Sequence, residues 1–208
     1  VYKEIIDPHG NKGYVTMDRL VFFDIAISEI GKGAVVLDVG CGDASFATKA
    51  GSPNMHLLDR SPTTVAELVK TFKNAKEGEA TKLPYADSFF DVIHTSHLVE
   101  HLQPEEVYAF MKECRRCIKP GGKLIISAPV LWKGFYSDLS HIKPYNPEVF
   151  IGYLCSRDST NHTRALIGGF STLRLVGRYA EDSVINKDTG TPFTAFVQTG
   201  YTLVLKKL

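Results

Sequence analysis

The run Val35-Val36-Leu37-Asp38-Val39-Gly40-Cys41-Gly42-Asp43-Ala44-Ser45 joins an apolar strand to a helix through a loop whose glycines leave the backbone bare to a ligand. Asp59, closing His56-Leu57-Leu58-Asp59, ends the next apolar segment. If the two segments are adjacent parallel strands, loop and acid meet at their carboxyl ends, where Asp59 can accept hydrogen bonds from a ribose diol. The spacing therefore supports a nucleoside site. Farther along, His97, His101 and His141 compete for any acid or base role near neutral pH. His141 lies among Trp132, Phe135, Tyr136, Asp138 and Tyr145, with Asp138 as a candidate to orient it. His101 continues an apolar turn with Leu98 and Leu102 and reads first as a hydrogen-bonded structural histidine.

These residues need a scaffold that alternates strand and helix. Strands are expected over residues 34–39, 54–58, a short stretch near Glu79, 90–95 and 123–128, with two more over 172–179 and 196–206. Helices are expected over 16–30, 43–50, 62–72, 104–118 and 147–154. Ser61 and Asn146 are placed as N-caps before Pro62 and Pro147, and Lys119-Pro120-Gly121-Gly122 as a turn. The last two strands have no crossover helix between them and must be antiparallel. The fold class is thus α/β: a Rossmann-like, doubly wound, mostly parallel seven-stranded sheet with an antiparallel C-terminal strand and helices on both faces. One domain is expected over 1–208, opening with an N-terminal helical segment over 1–33.

Composition narrows the function classes. With 208 residues, 44% hydrophobic and 23% charged, the chain can bury a sizeable core. Lys plus Arg number 24 against 23 Asp plus Glu, so no overall field attracts nucleic acid or anionic membrane. The basic helix face of Lys112, Arg115, Arg116 and Lys119 reads as solvated surface. No apolar run reaches the length of about 20 residues that spans a bilayer, and Val1-Tyr2-Lys3-Glu4 lacks a signal-peptide pattern. A cytoplasmic location without membrane insertion is expected. The chain opens on Val1 rather than Met, which fits processing, trimming or excision from a longer protein. Cys114-Arg115-Arg116-Cys117 has redox or zinc spacing, yet it falls in the apolar rhythm of Val107, Phe110, Met111, Cys114 and Ile118. Core packing is the expectation, because no second Cys/His pair completes a tetrahedral zinc site. Asp138 with His141 offers two ligands, too few to define a metal site, and no metal is expected.

From Val35 to the last strand the sequence resembles the class I S-adenosylmethionine-dependent methyltransferases, within the broad group acting on small molecules and glycans. Asp38-Val39-Gly40-Cys41-Gly42 is similar to the first motif of that family, and Asp59 to the acid ending its second strand. The run from Ala80 through Leu83-Pro84-Tyr85 to Phe90-Asp91-Val92-Ile93 resembles the segment leading into the fourth strand, with Ser96-His97-Leu98-Val99-Glu100-His101-Leu102 after it. Lys119-Pro120-Gly121-Gly122-Lys123-Leu124 resembles the turn before the fifth, and Asp138, His141, Pro147-Glu148 and Gly169-Phe170 fit the downstream pattern.

The resemblance implies S-adenosyl-L-methionine as cofactor and S-adenosyl-L-homocysteine as product. It implies that Gly40, Cys41 and Gly42 lie against the methionine portion, that Asp38 helps hold the ammonium or merely ties down the loop, and that Asp59 takes the ribose. Arg60 would flank the adenosine, Glu79 and Ala80 the adenine, and Ser96 the methionine moiety. For Glu79 a solvated surface position is the open alternative. Residues 131–160 would form a lid and helix over the acceptor, a small molecule or glycan. A hydroxyl acceptor needs a base, for which His141 oriented by Asp138 ranks before His97; an amine or phosphate oxygen would not. Two other classes stay in view. A nicotinamide-dependent oxidoreductase is disfavoured because Gly40-Cys41-Gly42-Asp43-Ala44-Ser45 lacks the third glycine that seats a pyrophosphate. A noncatalytic cofactor-binding module of a larger protein would keep the same glycines and acids. Oligomeric state is not legible.

Overall fold

The computed structural model describes residues 2–156 and 163–208. The chain begins with two short strands, β1 (Lys3–Ile6) and β2 (Lys12–Val15), followed by α1 (Leu20–Ser28), β3 (Val36–Val39), α2 (Ser45–Ala50), β4 (Met55–Asp59), α3 (Pro62–Leu68), β5 (Ala75–Glu77) and β6 (Phe90–Ser96). A short 3-10 turn at Val99–His101 leads to α4 (Pro104–Cys117), β7 (Ile118–Pro129), α5 (Pro147–Cys155), β8 (Phe170–Ile185) and β9 (Pro192–Lys207).

Among the described residues these strands form one sheet in the order β1-β2-β8-β9-β7-β6-β3-β4-β5. β3 to β7 pair in parallel, whereas β9 is antiparallel to both β7 and β8. The α/β class and the antiparallel end stand as expected, but the sheet has nine strands rather than seven. The N-terminal segment is not wholly helical. Asp7 Oδ1 accepts the amides of His9 and Asn11, turning β1 into β2, which extends the sheet beside β8 through the pair Gly13 and Gly177.

Strand alternation divides the core. Leu37, Ile93, Leu124, Ile126, Leu203 and Leu205 face α4 and α5, while Val36, Val92, Ile125 and Val204 face α1 and α2. Helix α4 buries Val107, Phe110, Met111, Cys114 and Cys117, so the two cysteines pack in the core. Burial pushes the Cys117 thiol up to about 11, and Cys114 is also raised. Ser61 caps α3 by accepting the Thr64 amide, whereas Asn146 makes no such side-chain bond before α5. Between Ile118, paired with Phe90, and Lys123, paired with Val92, the Pro-Gly-Gly turn loops out, with Gly121 at φ +77°.

The basic face of α4 is more than solvated surface. Arg116 donates to Glu113, to Asp87 and to the carbonyls of Leu83 and Tyr85, fixing the segment that runs into β6. Among the described residues no helix is long and apolar enough to cross a membrane.

Candidate functional site

β3 is where the parallel sheet reverses its winding, with β4 and β5 on one side and β6 on the other. Ligand clefts in such sheets form beyond the carboxyl ends at that switch point. Here the loops after β3, β4, β5 and β6 enclose a cleft of about 290 Å³. One wall carries Gly40, Asp59, Arg60, Gly78, Glu79 and Ala80, and the other His97, Leu98, His101 and Ser140.

The glycine loop is built for close approach. The amides of Gly40 and Cys41 both donate to the Leu58 carbonyl, at 2.8 and 3.2 Å, pulling the loop across the end of β4. Gly40 sits at φ +70°, and a Cβ there would come within 3.0 Å of Leu98. Gly42, at φ +51°, donates its amide to Asp59 Oδ2 at 3.0 Å. Asp59 Oδ1 accepts the Ser61 amide at 2.9 Å. A carboxylate has about four acceptor positions, so two backbone bonds leave capacity for a diol. Cys41 turns inward and is buried, which pushes its thiol up to about 12.

Asp38 does not line the cleft. It is 3% exposed, and its Oδ1 lies 2.7 Å from His94 Nδ1, on the register partner in β6. Phe46 of α2 stacks on the His94 ring at 3.6 Å between centroids, so the pair locks β3, β6 and α2 beneath the loop. Ser96 lines a separate small cavity with Arg19, Phe22, Ser127 and Arg178. His97, at φ +55°, lines both that cavity and the main cleft. Its Nδ1 is 3.0 Å from Glu100 Oε1 and its Nε2 is 3.4 Å from Arg178 Nη1. Since the arginine can only donate, Nε2 is the acceptor and Nδ1 carries the proton toward Glu100.

The expected orientation of His141 by Asp138 is not the one found. Asp138 accepts the amide and hydroxyl of Ser140, bonds that hold its carboxyl below the usual range. His141 Nδ1 instead lies 2.6 Å from the Phe135 carbonyl, which fixes the ring by backbone. His101 Nδ1 lies 3.1 Å from the Ser140 carbonyl, and the rings of His101 and His141 are 4.9 Å apart.

Residues 37–126 match a family model described as a methyltransferase domain. That stretch and the fold make the chain similar to the class I, Rossmann-like methyltransferases. A "Probable S-adenosylmethionine-dependent methyltransferase" of Mycolicibacterium smegmatis is 30% identical over 47% of this chain and 38% of its own length. A demethylmenaquinone methyltransferase of Chlorobaculum parvum is 33% identical over 46% of this chain and 41% of its own. The chain thus spans about two fifths of these two curated relatives. A solved SAM-dependent methyltransferase from Archaeoglobus fulgidus shares the fold with a TM-score of 0.67 at 21% identity, covering 91% of this chain and 95% of that one.

Within this methyltransferase fold, Gly40, Asp59, Arg60, Glu79, Ala80 and His97, all expected as site residues, line the cleft, as does His101, read first as structural. Arg60 and Glu79 are exposed at its rim. Asp38, Cys41, Gly42, Ser96, Asp138 and His141 stand behind or beside it. Glu100, Arg178, Leu98 and Gly78 were not singled out as site residues. Glu100 and Leu98 sit in an apolar run that reads as packing, and Arg178 lies far away in the chain. Gly78 had a usable signal, a glycine directly after a strand; a Cβ there would approach Leu58 within 2.8 Å. Of the expected lid and helix over 131–160, residues 157–160 lie outside the described residues.

Proposed function

We propose that this chain transfers a methyl group from S-adenosyl-L-methionine to a hydroxyl oxygen of a small molecule or glycan. The observation that carries the reading is the cleft that brings the bare backbone of Gly40 beside the Asp59 carboxylate, which the Gly42 amide holds in place from behind. The residues fit the cofactor: Gly40 offers a surface without Cβ, Asp59 keeps free acceptor positions, and Ala80 leaves room for an adenine. S-adenosylmethionine supplies an activated methyl group and leaves as a neutral thioether.

What the chain contributes is alignment and exclusion of water, a source of about 7 to 11 kcal/mol in well-oriented reactions. Residues 131–145, with exposed Tyr136 and Leu139, form the acceptor lid in this reading. For a hydroxyl acceptor, His97 replaces His141 as first choice of proton acceptor, because it lines the cleft with Nδ1 held by Glu100, and the acceptor hydroxyl would take the place of Arg178 on its Nε2. Four free cysteines support a reducing, cytoplasmic setting.

The test is transfer of labelled methyl groups to a panel of alcohols, sugars, amines, carboxylates and thiols. Label in alcohols or sugars, reduced at least about 100-fold by His97→Ala, supports the reading. Label confined to amines or thiols overturns the hydroxyl assignment.

A further inference from the structure

Beside the cleft, Glu100, His101 and His141 each offer a ligand atom, and the three atoms lie within 4.8 Å of one another. A second, independent observation concerns Glu100 alone. Its side chain is 1% exposed, and although Oε1 faces His97, Oε2 is buried without a hydrogen-bond partner. A buried carboxylate oxygen left without a hydrogen-bond partner is costly, and a bound cation would satisfy it.

The imidazoles are prepared in the same sense. Nδ1 of His101 faces the Ser140 carbonyl and Nδ1 of His141 the Phe135 carbonyl, so each ring donates there and keeps the Nε2 lone pair free. Donation of one ring nitrogen to a backbone carbonyl is how metal-binding histidines are oriented. The loop that carries His141 is also fastened to the turn that carries the other two. The amides of Ile142 and Lys143 donate to the Glu100 carbonyl at 2.8 and 3.3 Å, and Tyr145 Oη donates to the Leu102 carbonyl at 3.0 Å.

We propose that Glu100, His101 and His141 bind one divalent transition-metal cation at the edge of the cleft. Two neutral imidazoles and one carboxylate suit zinc, manganese, iron or cobalt better than calcium or magnesium. Ligands of a cation at about 2.1 Å stand about 3 to 3.5 Å apart, so the side chains close by about an ångström on binding. Three protein ligands leave coordination positions free, and His101 and Ser140 already line the cleft. Those positions take an oxygen of the acceptor, a hydroxyl or diol, and the cation lowers the pKa of that hydroxyl; this part rests on the proposed function, whereas the cation site does not.

The 208-residue chain, stripped with chelator, is titrated with Co²⁺ and Zn²⁺ by calorimetry, and Co²⁺ is followed by its visible absorption. One equivalent per chain is expected, with a nitrogen–oxygen ligand spectrum and no thiolate charge-transfer band. Affinity falls at least about 10-fold in Glu100→Gln, His101→Ala and His141→Ala and is unchanged in His9→Ala, an exposed histidine remote from the cleft. If Glu100→Gln unfolds, the lid variant His141→Ala carries the test. Absence of binding, a thiolate band, or binding indifferent to His101 and His141 overturns the site. Titration with S-adenosylmethionine is run on the same samples, so metal bound without the cofactor would refute the proposed function and leave the cation site standing, and the reverse result would do the opposite.

Discussion

The amide of Gly42 donates to Asp59 Oδ2 at 3.0 Å, so the acid at the end of β4 holds the glycine loop after β3 in the conformation a ligand meets. Asp59→Asn keeps an oxygen for that amide but removes the charge. Cofactor affinity should fall by about one to two orders of magnitude, the worth of about 1.5–3 kcal/mol for a charge-assisted bond, with little change in melting temperature. Asp59→Ala should lose both binding and loop order. Calorimetry and thermal unfolding on the two variants separate the roles.

Gly40 carries two constraints, a φ of +70° and the approach of Leu98. Gly40→Ala should destabilise the fold by about 1–3 kcal/mol, the range for strained non-glycine backbone. In the double variant with Leu98→Ala the steric part is relieved and the backbone part persists. Denaturant unfolding of the four-member cycle measures the coupling.

Gly13 and Gly177 pair across β2 and β8, and a Cβ on either would press well inside contact distance of the Tyr179 ring. Gly177→Ala is expected to loosen the N-terminal hairpin while leaving the parallel strands in place. Hydrogen exchange should show faster amides over residues 3–15, with β3 and β6 unchanged.

Glu113 is held below the usual carboxylate range by its bonds to Arg116, against the opposing effect of burial, with help from the Leu83 amide. Because the folded pKa lies below the unfolded value of about 4.3, the contribution is fully present above that pH and is lost as pH falls through the folded pKa. Glu113→Gln should cost about 1–2 kcal/mol at pH 7, and its stability should be flatter than that of the parent below about pH 4.3. Urea unfolding from pH 3 to 7 checks the sign.

The parallel half of the fold was legible because β3, β4, β6 and β7 are apolar runs bounded by glycine, proline or acid. The N-terminal hairpin was not. Lys3–Ile6 and Lys12–Val15 are four-residue strands whose order comes from β8, far away in the chain. β8 and β9 run to 16 residues each, because they pair as a ribbon beyond the core where no buried face marks the pattern. Glu100 hid within Leu98-Val99-Glu100-His101-Leu102, since burial of an acid depends on His97 and on a loop 40 residues onward. Asp138 looked like the partner of His141 by proximity, but its carboxylate is used by its own turn, and a backbone carbonyl orients the histidine instead.

The most direct test is calorimetric titration of the purified chain with S-adenosylmethionine, S-adenosylhomocysteine and NAD in parallel. Binding of both adenosyl compounds at one site per chain, with none for NAD, is the predicted result. Preference for NAD, or no binding to folded protein, would contradict the assignment of this cleft to a methyl donor.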